Sequence, residues 1–115
     1  MDVKNIGLKF PKGTKKKKRI SHPASILGSR KGRCYLCGRY TQTEEHHIFG
    51  GPNRTLSEQY GLKVDLCLEC HQFGAHAVHK DQAVMDELHC LGQEVFEEQI
   101  GNREQFRKIF GRSWL

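Results

Sequence analysis

Apolar and polar residues alternate through Gly61-Leu62-Lys63-Val64-Asp65-Leu66, the period of two expected of a strand with one face buried. A second strand-like stretch, Thr41 to Phe49, ends on the apolar pair Ile48 and Phe49. Between the two lie the breakers Gly50-Gly51-Pro52-Asn53 and the polar run Thr55 to Tyr60, which suits a short turn or helix. Past residue 80 the period lengthens. Val84, Leu88, Leu91 and Val95 recur at helical spacing behind Asp81, a good N-cap, and predict an amphipathic helix running to about Ile100 and closed by Gly101. Asn102 caps a shorter helix with Phe106, Ile109 and Phe110 on one face and Gly111 at its end. These stripes are core-forming, as is the odd cysteine, Cys90, read as a small hydrophobe. Trp114 is open between docking back and marking a contact surface. The elements predict an α+β domain of two strands and a crossing helix, covered by C-terminal helices.

Size and charge refine this picture. A chain of 115 residues makes one domain with a modest core, for which a metal staple is physically reasonable. The formal net charge is +6, and its distribution says more: 11 of the 19 Lys and Arg fall within residues 1–33 beside a single acid, Asp2, so the remainder is net negative. Lys15, Lys16, Lys17, Lys18 and Arg19 stand together between Pro11, Gly13, Pro23 and Gly28, without strand or helix periodicity. Such composition predicts a flexible basic arm over residues 1–33 that attracts polyanions by counterion release, with nucleic-acid backbone as its expected partner. A localisation signal or a solubilising tail are the plainer alternatives, and a membrane-surface role lacks an apolar face.

The candidate chemistry lies in residues 34–80. Cys34-x-x-Cys37 and Cys67-x-x-Cys70 supply two thiolates each from tight knuckles, the pattern of a closed structural zinc site. Gly38 is free to take the positive φ that such a turn often needs. Disulfides would require an oxidising compartment, yet the longest apolar run is the four residues Cys34 to Cys37, so the chain is expected to be cytoplasmic. A redox dithiol would need only one such pair. The 29 residues between the knuckles exceed what a compact zinc ribbon needs, and they hold His46 and His47. On a strand these two point to opposite faces, so that one can bind a metal while the other faces substrate. His71 follows the second knuckle directly and begins the crossing helix, giving the outline of a hydrolytic metal site. His22 and His89 are read as incidental.

Glu44-Glu45-His46-His47-Ile48, then Leu66-Cys67-x-x-Cys70-His71 and a further His, resemble the HNH endonuclease family of the ββα-metal superfamily in its zinc-knuckle form. The continuation Ile48-Phe49-Gly50-Gly51-Pro52-Asn53-Arg54 is similar to small HNH proteins of phages and prophages. The resemblance covers roughly residues 34 to 80. It implies a hairpin carrying the double histidine, a helix crossing it, and one catalytic divalent cation between them, Mg²⁺ or Mn²⁺ first, with Ni²⁺ or Zn²⁺ also suited to histidine ligands. By the resemblance His46 and His71 are ligands of that cation and His47 is the general base. The last ligand is His79 or His76, with His79 favoured because eight residues return closer to one helical face than five. The family's middle Asn falls at Leu62 here, and Asn53 is the candidate stand-in. Arg54 is a candidate phosphate holder.

The expected organisation is thus a basic arm over residues 1–33, a zinc-stapled ββα-metal core over 34–80 and packing helices over 81–115. The expected activity is metal-dependent hydrolysis of DNA phosphodiesters, with RNA left open and recombination or DNA processing in a phage setting as the context. The alternative is a non-catalytic zinc module that binds nucleic acid.

Overall fold

A computed structural model describes residues 22–115. Lys15 to Lys18 and Arg19, the centre of the expected arm, lie outside the described residues. Strand β1 (Thr43–His47) pairs antiparallel with β2 (Lys63–Cys67). The register sets Thr43 against Cys67 and His47 against Lys63. A 3₁₀ turn (Gly51–Asn53) and helix α1 (Arg54–Tyr60) connect them. Two hydrogen bonds of one buried serine fix α1 to the end of β1: Ser57 Oγ donates to Phe49 O at 2.8 Å and accepts from Phe49 N at 3.0 Å. The helix stops at Gly61, whose φ of 71° lies in the left-handed region. A Cβ there would also meet Ala24 O at 2.6 Å.

The alternation in β2 sends Val64 and Leu66 into the core. Its other face is covered as well, since Lys63 is 8 % exposed under the carboxylates of Glu45 and Glu58. Past Cys67 the chain makes one π-helical turn (Glu69–Phe73), ended by Gly74, and loops to Asp81. The expected crossing helix is therefore a single wide turn. Asp81 caps α2 (Gln82–Gln99) by accepting from Ala83 N, and Asn102 caps α3 (Arg103–Phe110) in a reciprocal capping box with Gln105. Both helices begin where their caps predicted. Leu88, Phe96, Phe106 and Phe110 join Phe49, Leu62, Val64 and Leu66 in one core. Trp114 docks back on it: its ring lies 4.8 Å from that of Phe49, its backbone N–H donates to Gln93 Oε1 at 2.7 Å, and its backbone carbonyl accepts from Cys90 Sγ at 3.3 Å.

The expected boundary at residue 33 is misplaced. Residues 24–33 belong to the folded unit: Ile26 N donates to Gly61 O, Asp65 N to Ser29 Oγ, and Gly32 N to Thr43 Oγ1, each at 2.8–3.0 Å. Ile26 and Leu27 pack on the core. Basic composition masked these two apolar anchors. Among the described residues no helix is long and apolar enough to cross a membrane.

Candidate metal centres

The first knuckle turns as Gly38 allows, at φ 78°, with Gly38 N on Cys34 O at 2.9 Å. A further bond from Tyr35 N to Asp65 O, at 2.8 Å, ties it to β2. Cys67 closes β2 and Cys70 sits in the wide turn, so the hairpin brings both pairs together. The four sulfurs lie within 4.8 Å of one another, with Cys34 and Cys67 each 1 % exposed. Cys37 Sγ and Cys67 Sγ are 3.9 Å apart, close to the edge of about 3.8 Å in a tetrahedron with Zn–S bonds of about 2.3 Å. Burial, the largest single effect, opposes ionisation of Cys67, but the Arg39 guanidinium 3.4 Å from its sulfur, together with the hydrogen bonds from Cys70 and Cys34, outweighs it and lowers the thiol to about 6. Burial and its sulfur neighbours push Cys70 up. These four cysteines could hold a metal ion such as zinc.

The second centre is built across the sheet and the wide turn. His46 and His71 are buried and His79 is exposed, and their ligand nitrogens also lie within 4.8 Å of one another. Nε2 of His71 and Nε2 of His79 are 3.0 Å apart, a separation natural for two nitrogens bound to one cation at about 2.1 Å. Nδ1 of His71 donates to Glu44 Oε1 at 2.8 Å, and Gln72 Nε2 donates to the same oxygen at 3.0 Å. That pairing leaves Nε2 of His71 as its ligand atom. The hydrogen bond from His71 in turn holds the Glu44 carboxyl below its ordinary value. His46 Nε2 is buried with no hydrogen-bond partner among the described residues. Burial first, then the neighbouring charges of His71 and His79, lowers His46 to about 3, so the ring is a neutral donor. A buried, unpaired imidazole nitrogen is costly, and a cation held with His71 and His79 would satisfy it. Three imidazoles without a carboxylate ligand suit Zn²⁺ or Ni²⁺ better than the Mg²⁺ or Mn²⁺ expected first, and of those two they suit the oxygen-seeking Mg²⁺ less.

His79 reaches the cluster by a different route from the one its spacing suggested. The wide turn ends at Gly74, and the returning loop is fixed by Val78 N on Cys70 O and His79 N on His71 O, at 2.8 and 3.3 Å. No helical face connects the two histidines. His76, the alternative ligand, is turned outward and paired with Asp81 at 2.8 Å.

His47 occupies the opposite face of β1. Its Nε2 lies 2.8 Å from Glu58 Oε1, and Lys63 Nζ lies 2.9 Å from Glu58 Oε2. Hydrogen bonds from Lys63 and then His47 hold the Glu58 carboxyl down to about 2. Glu45, His47 and Glu58 come close enough to suggest a third cation site, but the Lys63 ammonium already stands between the carboxylates, 3.4 Å from Glu45. Beyond the end of β1 the strand geometry gives way, and one open cavity of about 290 Å³ is lined by His46, His71 and His79 and also by His47, Gly50 and Arg54.

One expectation fails at this site. Asn53 does not stand in for the family's Asn beside His47: its Nδ2 donates to Phe110 O at 3.2 Å, tying the connecting loop to α3. Leu62, at the family's Asn position, is fully buried core. Glu44 and Glu58 went unread in the sequence. The signal for Glu44 was there, since it lies two residues before His46 and shares its strand face. Glu58 could be found only with the strand register and the helix placement in hand. Comparison with protein-family models, curated proteins and solved structures finds no match to this chain.

Proposed function

We propose that this chain is a metal-dependent endonuclease of the HNH type, hydrolysing phosphodiester bonds in DNA around a ββα-metal centre, with a structural zinc on Cys34, Cys37, Cys67 and Cys70. The observation that carries the reading is the shared cavity: a cluster of three histidines with an unpaired buried nitrogen opens on the same space as a histidine held by a carboxylate, and as Arg54. His46, His71 and His79 would hold the cation, which when bound supplies positive charge to a phosphate oxygen and to the departing oxygen. His47 takes a proton from the attacking water, whose oxygen bonds to phosphorus as the bond to the leaving sugar oxygen breaks. That oxygen leaves as a hydroxyl, taking its proton from solvent. Arg54, exposed at the cavity rim, pairs with a non-bridging oxygen and positions the phosphate. Arg30, Lys31 and Arg33 beside the hairpin, with the basic residues 1–21, extend the attraction for nucleic-acid backbone.

Leu62 at the family's Asn position and the engagement of Asn53 elsewhere favour the non-catalytic alternative, a zinc module that only binds nucleic acid. Supercoiled-plasmid nicking across a cation series separates the two. The nuclease reading predicts nicking with Mn²⁺ or Ni²⁺ that exceeds nicking with Mg²⁺. Binding of DNA with no nicking of plasmid or single strands by any of Mg²⁺, Mn²⁺, Ni²⁺, Co²⁺ or Zn²⁺ would leave the binding module standing.

A further inference from the structure

The hydrogen bonds around His47 assign a role to a residue outside the motif. His47 and Lys63 face each other across the hairpin as a register pair, and the side chain of Glu58 comes down from α1 between them. Its two oxygens are divided: Oε1 takes His47 Nε2 at 2.8 Å, and Oε2 takes Lys63 Nζ at 2.9 Å and His22 Nδ1 at 3.0 Å. Lys63 is 8 % exposed, so Glu58 is the counter-charge of a nearly buried ammonium and stays ionised. An ionised carboxylate only accepts. Nε2 of His47 therefore carries the ring proton, and when the ring is neutral its lone pair lies on Nδ1. Nδ1 makes no hydrogen bond among the described residues, and His47 lines the cavity beside the three-histidine cluster. The placement of Glu58 is itself secured one residue away, where Ser57 fixes α1 to Phe49 through both backbone groups.

We propose that Glu58 is a positioning residue that fixes His47 as the Nε2–H tautomer, presenting Nδ1 as the ring's proton acceptor, with Lys63 holding the carboxylate in place. As a statement about catalysis this rests on the nuclease reading; as a statement about the tautomer it does not. Glu58 supplies from α1 the constraint on His47 that neither Leu62 nor Asn53 provides. The same logic operates in hydrolases where a buried carboxylate sets the tautomer of a general-base histidine.

Glu58→Gln makes the test sharp, because Lys63 requires an acceptor and takes the amide oxygen. The amide NH₂ then faces His47 and can only donate, so the ring must turn to the Nδ1–H tautomer. Nitrogen-15 NMR of the histidine rings in the full-length, zinc-loaded protein, at a pH where His47 is neutral, reads this directly. The expected result is an Nε2–H ring in the wild type and a shift toward Nδ1–H in Glu58→Gln, with zinc content unchanged. Nicking supplies the second readout. Glu58→Gln should lower kcat toward the level of His47→Ala, a loss of about 10²- to 10⁴-fold, at unchanged KM and unchanged cation concentration for half-maximal rate. In the His47→Ala background it should cost nothing further. An Nδ1–H ring in the wild type overturns the proposal, as does a full additional loss from Glu58→Gln in the His47→Ala background. If the wild type fails to nick with every cation of the series, the nuclease reading fails alone, and the NMR result decides the role of Glu58.

Discussion

At the scale of single residues, two carboxylates divide the work around the double histidine. Glu44 orients His71, since it takes the Nδ1 proton of that ring and leaves Nε2 toward His46 and His79. Glu58 serves the other face through His47. Loss of a carboxylate behind a metal-binding histidine typically costs about 10- to 100-fold in metal affinity. Glu44→Gln should therefore raise the cation concentration for half-maximal nicking by about that factor while the maximal rate approaches wild type, measured by metal titration. The histidines gathered at the cavity were legible because His46-His47 and Cys70-His71 are adjacent pairs with few innocent readings. The carboxylates were not, because a glutamate in a polar stretch resembles every solvated glutamate until strand face and register are known. His79 was identified through helical periodicity, yet it arrives by a loop held to the wide turn.

At the scale of elements, caps and breakers were the most readable features. Asp81, Asn102 and Gly111 bound α2 and α3 where their chemistry predicted, because each satisfies end groups that the helix itself cannot. The segment before the first knuckle was misread: its charge suggested an arm, whereas Ile26, Leu27 and Ser29 attach it to Gly61 and β2. Gly61 is the joint of this arrangement, ending α1 with positive φ and receiving residues 24–26 at close range. Gly61→Ala should destabilise the fold by about 1–3 kcal/mol, seen as a lower denaturation midpoint. If the backbone of residues 24–26 did not pack there in solution, the loss would stay at the lower end.

At the scale of the whole molecule, the four cysteines join the segment before β1 to the end of β2, so a metal bound there is part of the folding free energy. Natively purified, fully reduced protein should carry one tightly held zinc, and Cys37→Ser or Cys70→Ser should unfold it, whereas Cys90→Ser should be mild. Elemental analysis and circular dichroism check both, and protein that is folded without any metal would contradict the staple. Charge is distributed at the same scale. Removing residues 1–21, which hold most of the basic excess, should weaken DNA binding and flatten its salt dependence. Removal through residue 33 should also destabilise the fold, since it deletes the bonds to Gly61 and Asp65.

The most direct test of the account compares His47→Ala with His46→Ala in plasmid nicking as the concentration of Mn²⁺ is raised. The two residues are neighbours on one strand but stand in different surroundings, one clustered with His71 and His79, the other held by Glu58. His46→Ala should partly recover at high Mn²⁺, while His47→Ala should stay about 10²- to 10⁴-fold below wild type at every concentration with zinc content and DNA affinity intact. Recovery of His47→Ala with added metal, or wild-type nicking rates in either variant at low metal, would contradict it.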